Sequence, residues 1–302
     1  MPKFCFKWIR PLVLTFSFLL LIFPIAPAFS AERGTSQNPV RMMFVPYGDA
    51  QVILEGGSEI SKGLQKVTGL HFKTSVATSY AAVIEAMGAG KVDIGWLGPF
   101  SYVLAKKKYD IDLLLIMVRF GKTSYRGQIM VRADSGIDSL QGLKGKTFAF
   151  VDPASTSGHI YAKTLLISKG FNPETHFSRA VFLGSHNAVV LSILKGEVDG
   201  GAAFEDIRAV VAKSFPEIYK KIKVIAFTAE IPNDTVAARK DLSPAIKEKI
   251  RRGLKAMTKS KEGMDILRKS YQIGGLMDLD GYYDSVRKAG NLLGLDLGEL
   301  SR

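Results

Sequence analysis

The sequence predicts an α/β protein built from two similar lobes, on three observations. From Arg41 onward, short apolar runs rich in β-branched and aromatic residues alternate with segments of helical spacing. That alternation gives a parallel sheet packed on both faces. One junction occurs twice: Ala86-Met87-Gly88-Ala89-Gly90-Lys91-Val92-Asp93-Ile94-Gly95 is echoed by Ser192-Ile193-Leu194-Lys195-Gly196-Glu197-Val198-Asp199-Gly200-Gly201. In each, a helix ends at glycine and Val-Asp opens a strand of small residues, with Asp93 and Asp199 read as structural caps. Finally, the chain has 302 residues, and chains of this size usually divide.

The elements follow in order. A strand over 40–45 precedes a helix over 53–67, stopped by Gly69. A strand over 71–76 leads to a helix over 80–87, with Ala81, Ile84, Ala86 and Met87 inward. A buried strand over 92–97 ends in a turn at Gly98-Pro99. A helix over 101–107 is followed by a long apolar strand over 111–120 and another over 125–132, closed by Asp134-Ser135-Gly136. The run 146–150 reads as a buried strand. After Val151-Asp152-Pro153-Ala154-Ser155-Thr156-Ser157-Gly158, the residues Ile160, Ala162, Leu165, Leu166 and Ile167 keep helical spacing to Lys169-Gly170. Strand 180–183, helix 188–194, strand 198–203 and strand 222–227 come next, and 243–293 is nearly all helical.

Residues 1–30 stand outside this pattern. Lys3, Lys7 and Arg10 precede an apolar run over 11–24, and Ala28-Phe29-Ser30 supplies small residues, so a secretory signal peptide cleaved after Ser30 is expected. The apolar run is short for a membrane anchor. The one cysteine, Cys5, lies in the leader, which excludes disulfides and thiolate metal sites from the mature chain. An exported, periplasmic protein is expected. Removing Lys3, Lys7 and Arg10 from the net charge of +13 leaves +10. Such a balance points to an anionic ligand or surface. Nucleic acid is a poor partner, because the basic residues are dispersed on helix faces without interleaved aromatics.

Ligands of open α/β sheets sit beyond the carboxyl ends of the strands. The loops there carry Pro46-Tyr47-Gly48, Thr78-Ser79-Tyr80, Gly98-Pro99-Phe100-Ser101, Ser155-Thr156-Ser157, Gly184-Ser185-His186 and Phe204-Glu205-Asp206. Hydroxyls, a histidine and glycine backbone are what an oxyanion needs when water is excluded. The stretch 151–158 is the sharpest case. A helix start presents unpaired N–H groups and the positive dipole end, three hydroxyls add donors, and Gly158 is expected to admit a ligand close to the backbone. A plain N-cap explains the same residues with one hydroxyl.

Several motifs in order resemble a known family. They are Tyr80-Ala-Ala-Val-Ile-Glu-Ala, Val92-Asp-Ile-Gly-Trp-Leu-Gly-Pro-Phe-Ser-Tyr102, Gly142-Leu-Lys-Gly-Lys-Thr-Phe-Ala-Phe150, Asp152-Pro-Ala-Ser-Thr-Ser-Gly158 and Ile231-Pro-Asn-Asp234. Together, over about 41–241, they resemble periplasmic solute-binding proteins of phosphate/phosphite/phosphonate ABC importers. The resemblance implies a type II periplasmic binding fold: lobe 1 from 31–124 and 230–302, lobe 2 from 125–229, and a ligand cleft between them that closes by hinge motion. It implies that Ser155, Thr156 and Ser157 hold the phosphorus-bound oxygens, that Tyr80 and Tyr125 reach in, and that His186 donates from its loop. Glu205 and Asp234 match the places where aminophosphonate binders hold an amine.

A carboxylate facing a phosphorus oxyanion is costly unless it accepts a ligand proton or pairs with a ligand cation. That expectation favours a protonated oxyanion or an aminophosphonate. Asp206 reads as a helix cap; His71, His159 and His176 have no metal-ligand spacing and read as structural. An enzyme is not expected: the chain has no Gly-x-Ser-x-Gly, no base at motif spacing from Ser155 or Ser157, and no metal cluster. The expected function is a non-catalytic, monomeric receptor without cofactor that hands a phosphorus oxyanion to the membrane permease of an ABC transporter. The alternatives are the input of a membrane sensor kinase, or a binder of another oxyanion such as a sulfonate.

Overall fold

The computed structural model describes Met1, residues 32–278 and residues 282–294. Apart from Met1, the leader expected over 1–30 lies outside the described residues. The strands are β1 Val40–Phe44, β2 Phe72–Val76, β3 Ile94–Leu97, β4 Asp112–Val118, β5 Ser124–Arg132, β6 Thr147–Phe150, β7 Arg179–Phe182, β8 Gly200–Phe204, β9 Ile222–Pro232, β10 Thr235–Ala238 and β11 Gly275–Met277. The helices are α1 Ala50–Thr68, α2 Tyr80–Gly88, α3 Pro99–Tyr109, α4 Tyr161–Ser168, α5 Pro173–His176, α6 His186–Lys195, α7 Ile207–Val211, α8 Ile218–Lys221, α9 Pro244–Lys259, α10 Lys261–Tyr271 and α11 Asp284–Leu292.

Two sheets form, ordered β11-β4-β10-β3-β1-β2 and β7-β6-β8-β5-β9. Setting β11 aside, they repeat one plan. β2, β1 and β3 run parallel, as do β7, β6 and β8; the next strand, β10 or β5, runs antiparallel to its neighbours. Each of those antiparallel strands has just crossed from the other sheet, β5 after β4 and β10 after β9. The expectation of a purely parallel sheet is therefore corrected. A strand delivered by a short connection, without a crossover helix, is free to pair antiparallel.

The repeated junction has a shared geometry. Asp93 N–H donates to Arg41 O at 2.9 Å while its carboxylate accepts from Arg41 N–H at 2.8 Å. Asp199 does the same with Thr147, at 3.1 and 2.8 Å. In both halves an aspartate thus locks the start of one parallel strand to the start of its neighbour, β3 to β1 and β8 to β6, as the sequence echo implies.

Helix limits follow local chemistry. Asp49 accepts from Val52 N–H to start α1, and Gly69 at φ +70° ends it. Ser79 and Ser185 cap α2 and α6 in the same way. Several boundaries differ from expectation. α3 begins at Pro99, since proline is preorganised for a first helical position. β4 stops at Val118 instead of 120, because Phe120 and Gly121 both have positive φ and turn the chain back as a tight hairpin. β9 continues to Pro232 along the full length of β5. The region 243–293 is interrupted by β11, which pairs with β4, and the small residues of β10 gave no strand signal beforehand.

α1, α9 and α10 bury Ile53, Ile60, Leu254 and Leu267 against one face of the first sheet, around Trp96 and Phe44. A second cluster runs from Ile84, Phe100 and Val103 through Val151 and Ile160 to Val190 and Ile207, so apolar packing is continuous between the halves.

Candidate functional site

The carboxyl ends of both sets of parallel strands converge on one cavity of about 790 Å³. It is lined by Tyr80, Tyr125, Ser155, Thr156, Ser157, His186 and Asp234, so seven of the eight residues singled out from sequence meet there. Glu205 is not among the lining residues. Its carboxylate accepts from Arg126 through the backbone N–H at 3.1 Å, Nε at 3.2 Å and Nη2 at 3.1 Å.

The stretch 151–158 leaves β6 and enters a widened turn, Thr156–Ile160, before α4. Ile160 N–H reaches back five residues to Ser155 O at 3.1 Å, a π-type turn of the kind found at functional positions. The first N–H groups of such a turn have no carbonyl in their own helix. Ser155 Oγ accepts from Gly158 N–H at 3.3 Å, so Ser155 is an N-cap as well as a cavity residue. All three hydroxyl residues are buried. Gly158 has a different reason from the one expected. A Cβ there would stand 2.3 Å from Val151 Cγ2, so glycine lets the loop pack onto its own strand and admits no ligand atom.

The same loop docks on the first sheet's helices. Asp152 Oδ2 accepts from Tyr80 N–H at 3.3 Å, Thr156 Oγ1 accepts from Phe100 N–H at 2.9 Å, and Ser101 Oγ donates to Ala154 O at 3.1 Å. Two orphan N–H groups at helix starts are satisfied by the opposite half. Burial raises the Asp152 carboxyl above its usual range, against the pull of the Ala154 and Tyr80 N–H groups. Since Thr156 Oγ1 already accepts one bond, its hydroxyl hydrogen is the donor left for a ligand.

Tyr80 faces Ser155 and Tyr125 faces Ser157, and burial pushes both phenols upward, so both are neutral donors near pH 7. His186 Nδ1 accepts from Phe204 N–H at 3.3 Å, which leaves Nε2 carrying the proton. Burial, with nearby Arg119, lowers His186 to about 3. The ring is thus a neutral donor. Its proton-detected ring shifts are expected to stay flat from pH 5 to 8 in an NMR titration, whereas free histidine titrates near 6.5. Because the folded value is lowered, this group costs the fold nothing above about 6.5 and an increasing amount of stability as pH falls toward 3. An inflection between pH 6 and 7 would remove the neutral-donor assignment.

The largest residue missed by sequence reasoning is Arg119. Its Nη2 donates to Asp234 Oδ2 at 2.9 Å, and its guanidinium lies over the Tyr271 ring at 5.1 Å from the centroid. Burial raises the Asp234 carboxyl, with Arg119 opposing. Reading the strand through to 120 absorbed Arg119 into it; a charge closing an apolar run at the carboxyl end of a strand was the available signal. Tyr47, Asn187 and Tyr271 also line the cavity. Tyr271 arrives at the end of α10, packed at tilted and edge-on angles among Phe44, Trp96 and Tyr47, and its sequence gives no hint of that position. His159 and His176 are structural: His159 Nδ1 bonds Pro153 O at 2.9 Å and His176 Nε2 bonds Leu140 O at 2.8 Å. Asp206 stands at the start of α7 but makes no side-chain cap bond, contrary to its reading as a cap.

Residues 42–280 match the family described as ABC transporter, phosphonate, periplasmic substrate-binding protein. The chain is 32% identical over 191 residues to the phosphate-import protein PhnD of Mycolicibacterium smegmatis, covering 59% of each chain. It is 31% identical over 192 residues to the phosphonates-binding periplasmic protein of Escherichia coli, covering 62% of this chain and 56% of that one. The chain thus spans less than two thirds of the length of these curated relatives. The structure of PhnD1 from Prochlorococcus marinus (MIT 9301) in complex with methylphosphonate superposes with a TM-score of 0.77 at 20% identity, over 85% of this chain and 98% of that one. The fold is the two-lobe type II periplasmic binding fold.

Proposed function

From the premise that this chain belongs to the family of periplasmic substrate-binding proteins of phosphonate ABC transporters, we propose that it captures a phosphorus oxyanion and delivers it to an import permease. The carrying observation is the convergence of Ser155, Thr156 and Ser157 from one half with Tyr80 and Asp234 from the other on a single cavity. Tyr80, Tyr125, His186 and the three hydroxyls are neutral hydrogen-bond donors. A tetrahedral oxyanion withdrawn from water needs such a shell, because each of its oxygens must be bonded. Asp234, raised by burial, suits a ligand that brings a proton.

The lobes would be 31–124 with 230–302, and 125–229, joined through the β4–β5 and β9–β10 crossings. Hinge motion about those crossings would open and close the cleft. Residues 1–30 would act as the cleaved leader, and the mature protein would work as a monomer without catalysis. In support of that reading, Ser155 Oγ accepts from Gly158 N–H and His186 Nδ1 accepts from Phe204 N–H, roles that suit a cap and a fixed donor.

Calorimetry on the mature protein with phosphate, phosphite, methylphosphonate, ethylphosphonate and sulfate tests this reading. At least one phosphorus oxyanion is expected to bind well below the roughly millimolar range that marks weak association, and more tightly than sulfate. Failure of every phosphorus ligand to reach that range would sink the proposal.

A further inference from the structure

Both carboxylates that matched amine-holding positions already have a cation of their own. Asp234 is paired with Arg119 at 2.9 Å, the two side chains only 18% and 22% exposed. Glu205 is held by Arg126 through three bonds and stands off the cavity wall. The charge of each acid is already countered by an arginine, so a ligand ammonium would have to share it.

Arg119, in contrast, has donor capacity to spare. One Nη meets Asp234, while its Nε–H is buried and has no acceptor among the described residues. Five donors on a rigid fork cannot be consumed by one carboxylate oxygen. Tyr271 beneath the guanidinium fixes it as part of the cavity wall. Gly98 brings the hydroxyl cradle and the ion pair close together: a Cβ there would lie 3.7 Å from Thr156 Oγ1 and 3.9 Å from both Asp234 Oδ1 and Tyr80 Cε1. Lys213, Arg268 and Lys269 add further cations to the same lining, against Asp49 alone besides Asp234.

We propose that Arg119 sets the ligand class: a phosphorus oxyanion whose substituent is uncharged or anionic and brings a hydrogen-bond acceptor, with aminoalkyl phosphonates excluded. The inference rests on the phosphorus-oxyanion reading above. An ammonium placed beside Arg119 meets a like charge in a water-poor site and finds in Asp234 a carboxylate whose charge Arg119 already balances. A carboxylate or ether oxygen in the same place can accept from Nη1, the guanidinium nitrogen neither buried nor engaged by Asp234, and leaves the ion pair intact. The cavity, at about 790 Å³, has room for such a substituent beyond the phosphorus head group.

The test is calorimetry with phosphonoacetate, ethylphosphonate and 2-aminoethylphosphonate on the wild-type protein, Arg119→Met and Arg119→Gln. The wild type is expected to bind phosphonoacetate at least about tenfold more tightly than ethylphosphonate, the order of one charge-assisted hydrogen bond, and 2-aminoethylphosphonate more weakly than either. Arg119→Met frees Asp234 and is expected to invert that preference, with Arg119→Gln in between. Wild-type protein that binds 2-aminoethylphosphonate as tightly as ethylphosphonate overturns the inference, whether or not the variants fold. So does a folded Arg119→Met protein that keeps the wild-type order. Tight binding of 2-aminoethylphosphonate would leave the transport reading standing and remove only the role of Arg119. Absence of all phosphonate binding would remove both.

Discussion

Replacing Ser155 and Ser157 together by alanine is expected to weaken binding of a phosphorus oxyanion by roughly 10²- to 10⁴-fold. Hydrogen bonds to charged groups are worth about 1.5–3 kcal/mol each, and two are removed where water cannot replace them. The variant also loses a cap, since Ser155 accepts from Gly158 N–H, at a cost of about 0.5–2 kcal/mol of stability. These two effects need separating. Ser260 caps α10 by accepting from Gly263 N–H at 3.0 Å, and it does not line the cavity. Ser260→Ala is therefore expected to lower the melting temperature by a similar amount and leave affinity unchanged. Calorimetric titration of both variants, beside their thermal melts, decides the matter. A Ser155→Ala/Ser157→Ala protein that melts like Ser260→Ala and binds like wild type would reduce the loop to a helix cap.

That loop illustrates what was legible in the sequence. The strand, tight turn and run of hydroxyls announced a site because hydroxyls and glycine at a helix start are local signals. The role of Gly158 was misread because its constraint comes from Val151, a contact created only when the loop folds onto its strand. Likewise Glu205 matched a place where relatives of the resembled family hold an amine, but its fate is set by Arg126 on the neighbouring strand. Arg119 escaped notice since periodicity weighs apolar runs and is blind to where a strand ends. Tyr271 reaches the cavity from the far end of the chain through packing on Trp96 and Phe44, which no local pattern encodes. The alternation that gives the two sheets was plain throughout, because each buried strand must be covered on both faces. The antiparallel β10 and β5 were not, because strand direction depends on the path between the sheets.

The repeated Val-Asp junction, legible as an echo, separates into two very different energies. Asp93→Ala is expected to destabilise the protein by about 3–5 kcal/mol, the usual loss when one partner of a buried ion pair is removed. The Asp93 side chain is 0% exposed and meets Arg41, Arg239 and Arg33 at 2.9, 2.8 and 3.5 Å. Taking the carboxylate away removes the anion shared by three guanidinium groups, of which Arg239 keeps a second carboxylate, Asp241, and leaves Arg41 N–H without its side-chain acceptor. At about 2–4 °C per kcal/mol for a chain of this size, the melting temperature should fall by roughly 6–20 °C. Asp199→Ala removes bonds from Thr147 N–H and Oγ1, both at 2.8 Å. It should cost only about 1–3 kcal/mol, the range for neutral groups left unsatisfied. Both aspartates lie at the amino ends of their strands, away from the carboxyl-end cavity, so ligand affinity should not change in either folded variant. The acid response separates them from the site as well. The Asp93 carboxyl is held below its usual range: burial works to raise it, and the bonds from Arg41 and Arg239 outweigh that. Its contribution is therefore present at all pH values above the ordinary carboxylate range and is lost only as pH falls through the lowered folded value. Thermal melts at pH 7 and pH 5 should show the same Asp93→Ala deficit. A deficit no larger than that of Asp199→Ala would mean that the arginine cluster is solvated enough to stand without its anion, and the two halves of the repeat would be energetically alike.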